Sequence, residues 1–597
     1  MQRATDFQQS AARWPTTPRP AASGAVRRRS WPKLNLLVLV AAVPACLIIG
    51  LLAVVVWISF QPSIFAKGFT LEHYAAIYTD PLAYSAFMTT LQFAAITVCV
   101  AMLFGVPMAW LVERTDLPAK QIVLTAMTLA LLTPGFATAM GWLFLLHPRV
   151  GLVNLALQQT FGGSPEFLTI VNVPGMAWVQ GLTLSSLVFI LTVASLRAMN
   201  SALEEAASTS GAGLLQTIWR ITLPLALPSL LGAALYVLTI GISAFDIPLI
   251  IGLSNRILLF STYLYVQTNP AQGLPDYGLP AAFGTFMIVL ALALSWMYGR
   301  VLLQSRKYQV VSGKAYRRKI VELGKWKALA WLFLGAYILL SQVLPFVLLV
   351  WVAGLPFLRA PSIESLQTLS FKNLLDLPWP LVGRALSHTL ALLLLAPALC
   401  LVLSFVISWV VLRTRSRTRF ALDAVAFLPH AVPHVVFALA ATLAALLLPH
   451  SPVDLYGSLG LLLLVYVLVW ISFGTRVTNG ALIQIHPELE EAAAVSGATT
   501  MTVARRILAP LLRPALVYGW LSLALWTFRE ITIATMLASP DNITLPALVW
   551  SLWRAGTFGQ ASALTLLIML IGAPITLLYL AIRPTGDVGS SASRMTS

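Results

Sequence analysis

The sequence predicts an all-α polytopic membrane protein of about twelve transmembrane helices, arranged as two parallel six-helix repeats. Three observations carry this. The 597 residues are 58% hydrophobic and only 10% charged, with mean hydropathy +0.84, whereas soluble proteins carry about 25% charged residues. Apolar runs of roughly 18 or more residues recur along the chain, unlike the short alternating segments of a membrane β-barrel. Finally, two polar stretches 286 residues apart share one punctuation. Glu204-Glu205-Ala206-Ala207, Gly211-Ala212, Arg220-Ile221, Pro224 and Pro228 recur as Glu490-Glu491-Ala492-Ala493, Gly497-Ala498, Arg506-Ile507, Pro510 and Pro514.

In chain order, residues 1–33 are polar, rich in Pro, Ala and Arg, and read as a disordered basic cytoplasmic tail. Arg27-Arg28-Arg29 precedes an apolar run, Leu34 to Phe60, that is too long for an export-signal core and lacks a clear cleavage site, so the run is the first span. The spans are read at 34–58, 86–111, 122–146, 176–198, 229–252, 279–303, 328–353, 385–412, 420–448, 459–475, 515–538 and 561–582. With the N-terminus in the cytoplasm, most of the 38 Lys and Arg fall in cytoplasmic segments, a strong positive-inside bias. Both termini are then cytoplasmic, and 583–597 is a second tail. The net charge of +17 therefore reports topology and contact with anionic membrane lipid, and argues against nucleic acid as a partner.

The duplication extends beyond the polar strings. Thr90-Leu91, Trp110, Arg114-Thr115 and Pro134 recur as Thr389-Leu390, Trp409, Arg413-Thr414 and Pro433, all at an offset of 299. The change to 286 places a shorter outer loop in the second half, 449–458 against 148–175. Six spans per half give both halves the same orientation, hence a parallel repeat with a shared pathway between them. The halves are read at 34–303 and 328–582, joined by a basic cytoplasmic linker, 304–327, with a turn at Ser312-Gly313.

Each polar string follows the fourth span of its half. Glu-Ala-Ala forms helix well, and acidic residues in a first turn suit the positive end of the helix dipole. Gly211 and Gly497 either end that helix or admit another backbone closely. A second surface segment is then expected, ending at Pro224/Pro228 and Pro510/Pro514, where the chain turns back into the membrane. An interfacial anchor would explain one copy. Two copies with matched Glu, Gly, Arg and Pro point to docking.

Glu205-Ala206-Ala207, Gly211, Ile221 and Leu223-Pro224 resemble the EAA loop of ABC-importer membrane subunits. The second copy departs only in Ala509, where Leu is usual. The resemblance implies a type I ABC importer permease of the bacterial inner membrane, with two permeases fused in one chain. It implies that the two strings are coupling helices on which two copies of an ABC ATPase dock. The bound residues are then Glu204, Glu205, Ala206, Ala207 and Gly211, with Glu490, Glu491, Ala492, Ala493 and Gly497. The chain has no phosphate-binding loop, since Ser312-Gly313-Lys314 lacks the earlier glycine and strand. ATP and magnesium are therefore expected on the partner ATPase, with no cofactor and no catalytic residue here. A periplasmic or lipid-anchored substrate-binding protein is the other implied partner. The rival on composition is a major-facilitator-like secondary transporter, which has no ATPase to engage.

Polar groups inside spans mark pathways, because a central Asp or Arg costs about 2.5 to 3.5 kcal/mol. Asp246 follows Phe245 late in the fifth span, and Arg529-Glu530 follows Phe528 at the matching place after a three-residue slip. Either Arg529 and Glu530 pair near the outer interface, or Asp246 and Glu530 face each other and gate or pass a cation. Pro134 and Pro433 break the third and ninth spans, freeing carbonyls that a pathway can use. His430 and His434, spaced for one helix face, read as a polar pair beside the pathway and not as metal ligands, since Pro433 lies between them. His388, Thr389 and Gln92 are expected to hydrogen-bond between helices. Cys46, Cys99 and Cys400 lack ligand or disulfide spacing and read as apolar fillers. Phe245-Asp246-Ile247-Pro248, the basic linker and Asp276-Tyr277-Gly278 resemble ferric-iron-type permeases, whose relatives carry thiamine or aminoethylphosphonate. Ferric iron is the implied substrate, with those two or a polyamine as alternatives.

Overall fold

A computed structural model describes residues 34–64, 66, 68–162, 168–199, 202–270, 273, 275–305, 320–359, 362–414, 418–448 and 455–582. Both tails, with the Arg27-Arg28-Arg29 run, and the Ser312-Gly313 turn lie outside these residues. The first half contributes α1 (Leu34–Ile58), α2 (Pro81–Arg114), α3 (Lys120–Leu132), α4 (Gly135–Leu146), α5 (Val173–Ala198), α6 (Ala202–Thr209), α7 (Leu223–Ser243), α8 (Phe260–Thr268) and α9 (Gly278–Ser305). The second contributes α10 (Lys327–Ile338), α11 (Leu344–Gly354), α12 (Trp379–Arg413), α13 (Thr418–Ala431), α14 (His434–Leu447), α15 (Leu459–Ile483), α16 (Glu488–Val495), α17 (Ala509–Arg529), α18 (Thr532–Met536), α19 (Leu545–Arg554) and α20 (Phe558–Ile582).

Among the described residues, ten helices are long and apolar enough to cross a membrane. Three further pairs are bent, α3–α4 by 96°, Pro248–Asn255 with α8 by 68°, and α13–α14 by 107°. The expected spans 122–146 and 420–448 are therefore not continuous. Pro134 and Pro433 adopt extended ψ of 132° and 137° and start new helices. Their rings disfavour helical backbone at the preceding residue.

Two other expectations are corrected. The chain does not turn at the prolines after each polar string. One helix runs over Leu214–Ser243 and another over Thr500–Arg529. A five-residue π turn, Ile218–Thr222 or Ala504–Leu508, ends two residues before Pro224 or Pro510. Proline lacks the N–H for an α-helical bond and its ring crowds the carbonyl four residues back; the wider turn absorbs both defects. The same device, Leu339–Val343, precedes Pro345. The fifth and eleventh spans also end earlier than read, at Ser243 and Arg529.

The halves interlock through their first spans. α1 packs on α9 of its own half and on α12, α13 and α14 of the other, while α10–α11 leans across to α4 and α5. Tyr337 donates to the Leu182 carbonyl at 2.8 Å, and a Cβ on Gly141 would meet the Pro345 backbone at 2.5 Å. Inside each half the second and fourth spans pack most closely, α2 on α5 and α12 on α15. Both contacts depend on small residues, but differently placed. Gly105 lies against Val188 in the first half, where Gly181 of α5 also lies against Val100 of α2, and Gly474 lies against Ser404 in the second. In the offsets of 299 and 286, Ser404 is the counterpart of Gly105, and Gly474 of Val188. Cys400 is buried beside Ser404, whereas Cys46 and Cys99 face outward and fill nothing.

Gly105→Ser is expected to lower the unfolding temperature in detergent, because the added atoms overlap Val188; overpacking of this kind costs about 1–3 kcal/mol. Adding Val188→Gly transplants the second half's solution and should recover most of the loss in the same thermal scan.

Candidate functional site

α6 and α16 are the two Glu-Ala-Ala helices, and both lie on one face of the bundle. Each stops in the same way. The N–H groups of Gly211 and Ala212 bond to the carbonyls of Ser208 and Ala207, and those of Gly497 and Ala498 to Ala494 and Ala493. This is the Schellman arrangement, which needs a left-handed residue, and φ is +82° at Gly211 and +83° at Gly497. No atom lies within 4 Å of a Cβ built on either glycine. Of the two tasks open to these glycines, the one seen is chain reversal.

The paired glutamates divide their work. Glu490 is buried, its Oε1 accepting from Arg413 Nε at 2.8 Å and its Oε2 from Trp409 Nε1 at 3.1 Å. Arg413 also donates to the Leu482 and Ile485 carbonyls, at 3.2 and 2.8 Å. Glu204 lies 3.3 Å from Arg114 Nε and accepts from Thr222 at 2.8 Å. In the first half a second pair, Arg197 with Glu113 at 2.6 Å, reinforces the joint. Glu204 and Glu490 thus bolt their helices to the ends of α2 and α12. Exposed instead are Glu491, Ala492 and Ala206, with Glu205, Ala207 and Ala493 partly covered.

Sequence reading missed the apolar half of this surface. Leu203 and its counterpart Leu489 are each 48% exposed, and Leu215 and its counterpart Met501 are 72% and 74% exposed. Apolar side chains thus recur at matched positions beside the glutamates of both copies, an exposed patch of the kind that partners cover. The 286 register held the signal. Beside α6, Val321 makes a one-rung bridge to the end of α2, and Lys327 pairs with Asp116 at 2.7 Å. The Leu323 N–H and the Lys327 ammonium hold the Asp116 carboxyl below its ordinary value.

A second cluster lies where the broken helices meet. Arg529 Nη1 donates to the Thr133 carbonyl across 396 residues at 3.0 Å. Its charge acts on both Asp246 and Glu530. The Asp246 carboxylate presses on Gly135, and a Cβ there would overlap it. Glu530 caps α18, accepting from Ile533 at 2.8 Å, and its other oxygen lies 3.7 Å from His434. Arg529 and Glu530 are thus packed inside against the first half. The three-residue slip is also corrected: α7 and α17 keep the 286 register to their last residues, so Ser243 and Ala244 match Arg529 and Glu530. His430 and His434 part at the bend. His430 stacks on Tyr236 of the first half at 5.1 Å, while His434 meets the Trp470 ring edge-on. Among the described residues, no group of three His, Cys, Asp or Glu side chains is placed to hold a metal.

On the face opposite the coupling helices, a cavity of about 680 Å³ opens between the halves, lined by His147, Asn255, Tyr265, Trp550, Trp553 and Arg554 among others. Tyr265 accepts from Trp550 at 3.0 Å, and its ring meets Phe245, the neighbour of Asp246. Burial holds the His147 imidazole below its usual value. The helices that carry Tyr265 and Trp550 are anchored alike in both halves. Thr90 accepts the Phe260 N–H at 2.7 Å and Thr389 the Leu545 N–H at 2.9 Å, while His388 bonds to the Ile543 carbonyl at 2.9 Å.

A duplicated face of glutamates and apolar side chains, a charged centre at two broken helices and a cavity between the halves fit a transport subunit of the membrane. Residues 101–306 and 401–585 each match the binding-protein-dependent transport system inner membrane component family, and the chain belongs to it. Such subunits work with a substrate-binding protein and an ATPase, which excludes a major-facilitator transporter. The chain is similar to the putative ferric transport system permease protein FbpB 1 of Haemophilus influenzae, 24% identical over 499 residues, covering 81% of this chain and 73% of that one. It is 22% identical to the Fe(3+)-transport system permease protein FbpB 2 of the same organism over 490 residues, covering 81% and 87%. The ferric transport system permease protein FbpB of Actinobacillus pleuropneumoniae is 23% identical over 463 residues, covering 76% of this chain and 64% of that relative.

Removing one partner of a buried ion pair costs about 3–5 kcal/mol. Arg413→Ala is therefore expected to speed amide hydrogen exchange across Glu488–Val495 well beyond the rest of the chain. Gly497→Ala, which forces an alanine into left-handed backbone at about 1–2 kcal/mol, should speed it less.

Proposed function

We propose that this chain is the complete translocation unit of an ABC importer that carries ferric iron, with two copies of one ATPase docked on α6 and α16. ATP and magnesium are held by those partners. The coupling face and both termini lie in the cytoplasm, and the substrate-binding protein, periplasmic or lipid-anchored, delivers to the opposite cavity. The observation that carries the reading is the repeated surface: Glu205 with Leu203, and Glu491 with Leu489, each on a helix bolted to its own half, beside Leu215 and Met501 at the start of the next helix. A docked ATPase moving such a surface moves α2 or α12 through the Arg–Glu joint. The lysine and arginine distribution supports the orientation. The ferric assignment rests on the names of the relatives and on the carboxylates at the centre. Substrate is read as passing from the cavity beneath Tyr265 to Phe245 and on to Asp246, Arg529 and Glu530, where Pro134 and Pro433 open the helices.

The test is reconstitution with the ATPase and binding protein encoded beside this chain. Two ATPase copies should co-purify, and iron-loaded binding protein should stimulate hydrolysis and radioiron uptake. Leu489→Asp with Leu203→Asp should reduce stimulated hydrolysis by about tenfold, the equivalent of about 1.4 kcal/mol. No associated ATPase, or unaltered stimulation in the variant, would sink the coupling assignment. Uptake of thiamine, aminoethylphosphonate or a polyamine in place of iron would replace the substrate alone.

A further inference from the structure

We infer that Arg529 is a built-in counter-ion that keeps the pathway closed, occupying the position a transported cation takes and yielding it when that cation passes. The inference rests on the cation reading above but not on iron in particular.

Four observations lead to it. Arg529 ends α17 of the second half, yet its hydrogen bond goes to Thr133 of the first, at 3.0 Å. The Thr133 carbonyl stands at the break, where the next turn begins from Pro134, whose carbonyl takes the N–H groups of Ala137 and Thr138. An opened helix end is electronegative and attracts cations. Arg529 further acts on one carboxylate from each half, Asp246 and Glu530. Finally, Arg529 and Asp246 each keep a minor exposed fraction, so neither is fully sealed in the core. Two carboxylates and an unshared carbonyl without a cation would be costly in a bilayer. Arg529 supplies that cation from within the chain and ties the halves together in doing so. A passing cation can offset the same oxygens, so the guanidinium is released as the cation arrives. An anion has nothing to offer them.

The closing experiment uses the permease–ATPase complex in proteoliposomes without ATP, iron or binding protein, so a failure of the coupling or iron assignments does not affect it. Passive thallium entry and chloride entry are read by fluorescence quenching. Arg529→Gln is expected to admit thallium about tenfold faster than the native complex while chloride entry stays unchanged. Arg529→Lys should keep the vesicles tight, and Asp246→Asn added to Arg529→Gln should suppress the leak. Arg529→Met, which removes the charge and keeps an unbranched side chain, should also leak thallium, and it decides the matter if Arg529→Gln does not assemble. Vesicles that stay tight with Arg529→Gln, that admit chloride equally, or that leak as much with Arg529→Lys would overturn the inference.

Discussion

A helix interrupted inside a bilayer exposes carbonyls and amides that no lipid can satisfy, and each unsatisfied group costs several kcal/mol. Among the described residues, four helix ends meet near the centre. α3 and α13 stop before Pro134 and Pro433, and α7 and α17 stop at Ser243 and Arg529. Everything at the centre follows from covering those ends. Arg529 covers Thr133, Glu530 covers the start of α18, and Ser261 covers Ala244. Thr90 and Thr389 cover the starts of α8 and α19. The charges that make the centre look like a pathway are thus also what permits the breaks.

The coupling face answers a different demand. A docked partner can transmit force only through a stiff joint, and a short helix alone is marginal in water. Buried Arg–Glu pairs supply the stiffness in both halves, with different supports: Thr222 and the Glu113–Arg197 pair in the first, Trp409 in the second. The packing of α2 on α5 and α12 on α15 diverges similarly. The first contact keeps a glycine on each helix, Gly105 and Gly181, and the second keeps Gly474 against Ser404. The repeats therefore share geometry without sharing every residue that produces it.

Composition and the duplicated strings were enough to read the class, the fused repeat and the two capped Glu-Ala-Ala helices, because lipid burial and helix caps are local demands written in local sequence. The helix ends were not legible. Arg529 meets the break at Pro134 from 396 residues away, through the Thr133 carbonyl, and the end at Ser243 and Ala244 is closed by Ser261 on another helix. Aligning Phe528 with Phe245 followed side-chain likeness, while the backbone kept the register of the upstream helix. The inward turn of Glu204 and Glu490 was half visible. Arg114 and Arg413 were seen to recur, but the recurrence did not name what they hold.

The interlocked first spans have a consequence in time. α1 emerges first, yet the helices it packs on are α9, 220 residues beyond its own end at Ile58, and then α12, α13 and α14. At roughly 5–20 residues per second, α1 waits on the order of ten seconds or more before any of its neighbours exists. During that interval its own hydrophobicity holds it in the lipid. Its own sequence must therefore be a competent membrane anchor, with no surface that other proteins in the membrane could capture. The fusion of two halves into one chain shortens the search that follows, because the groove for α1 arrives tethered to it.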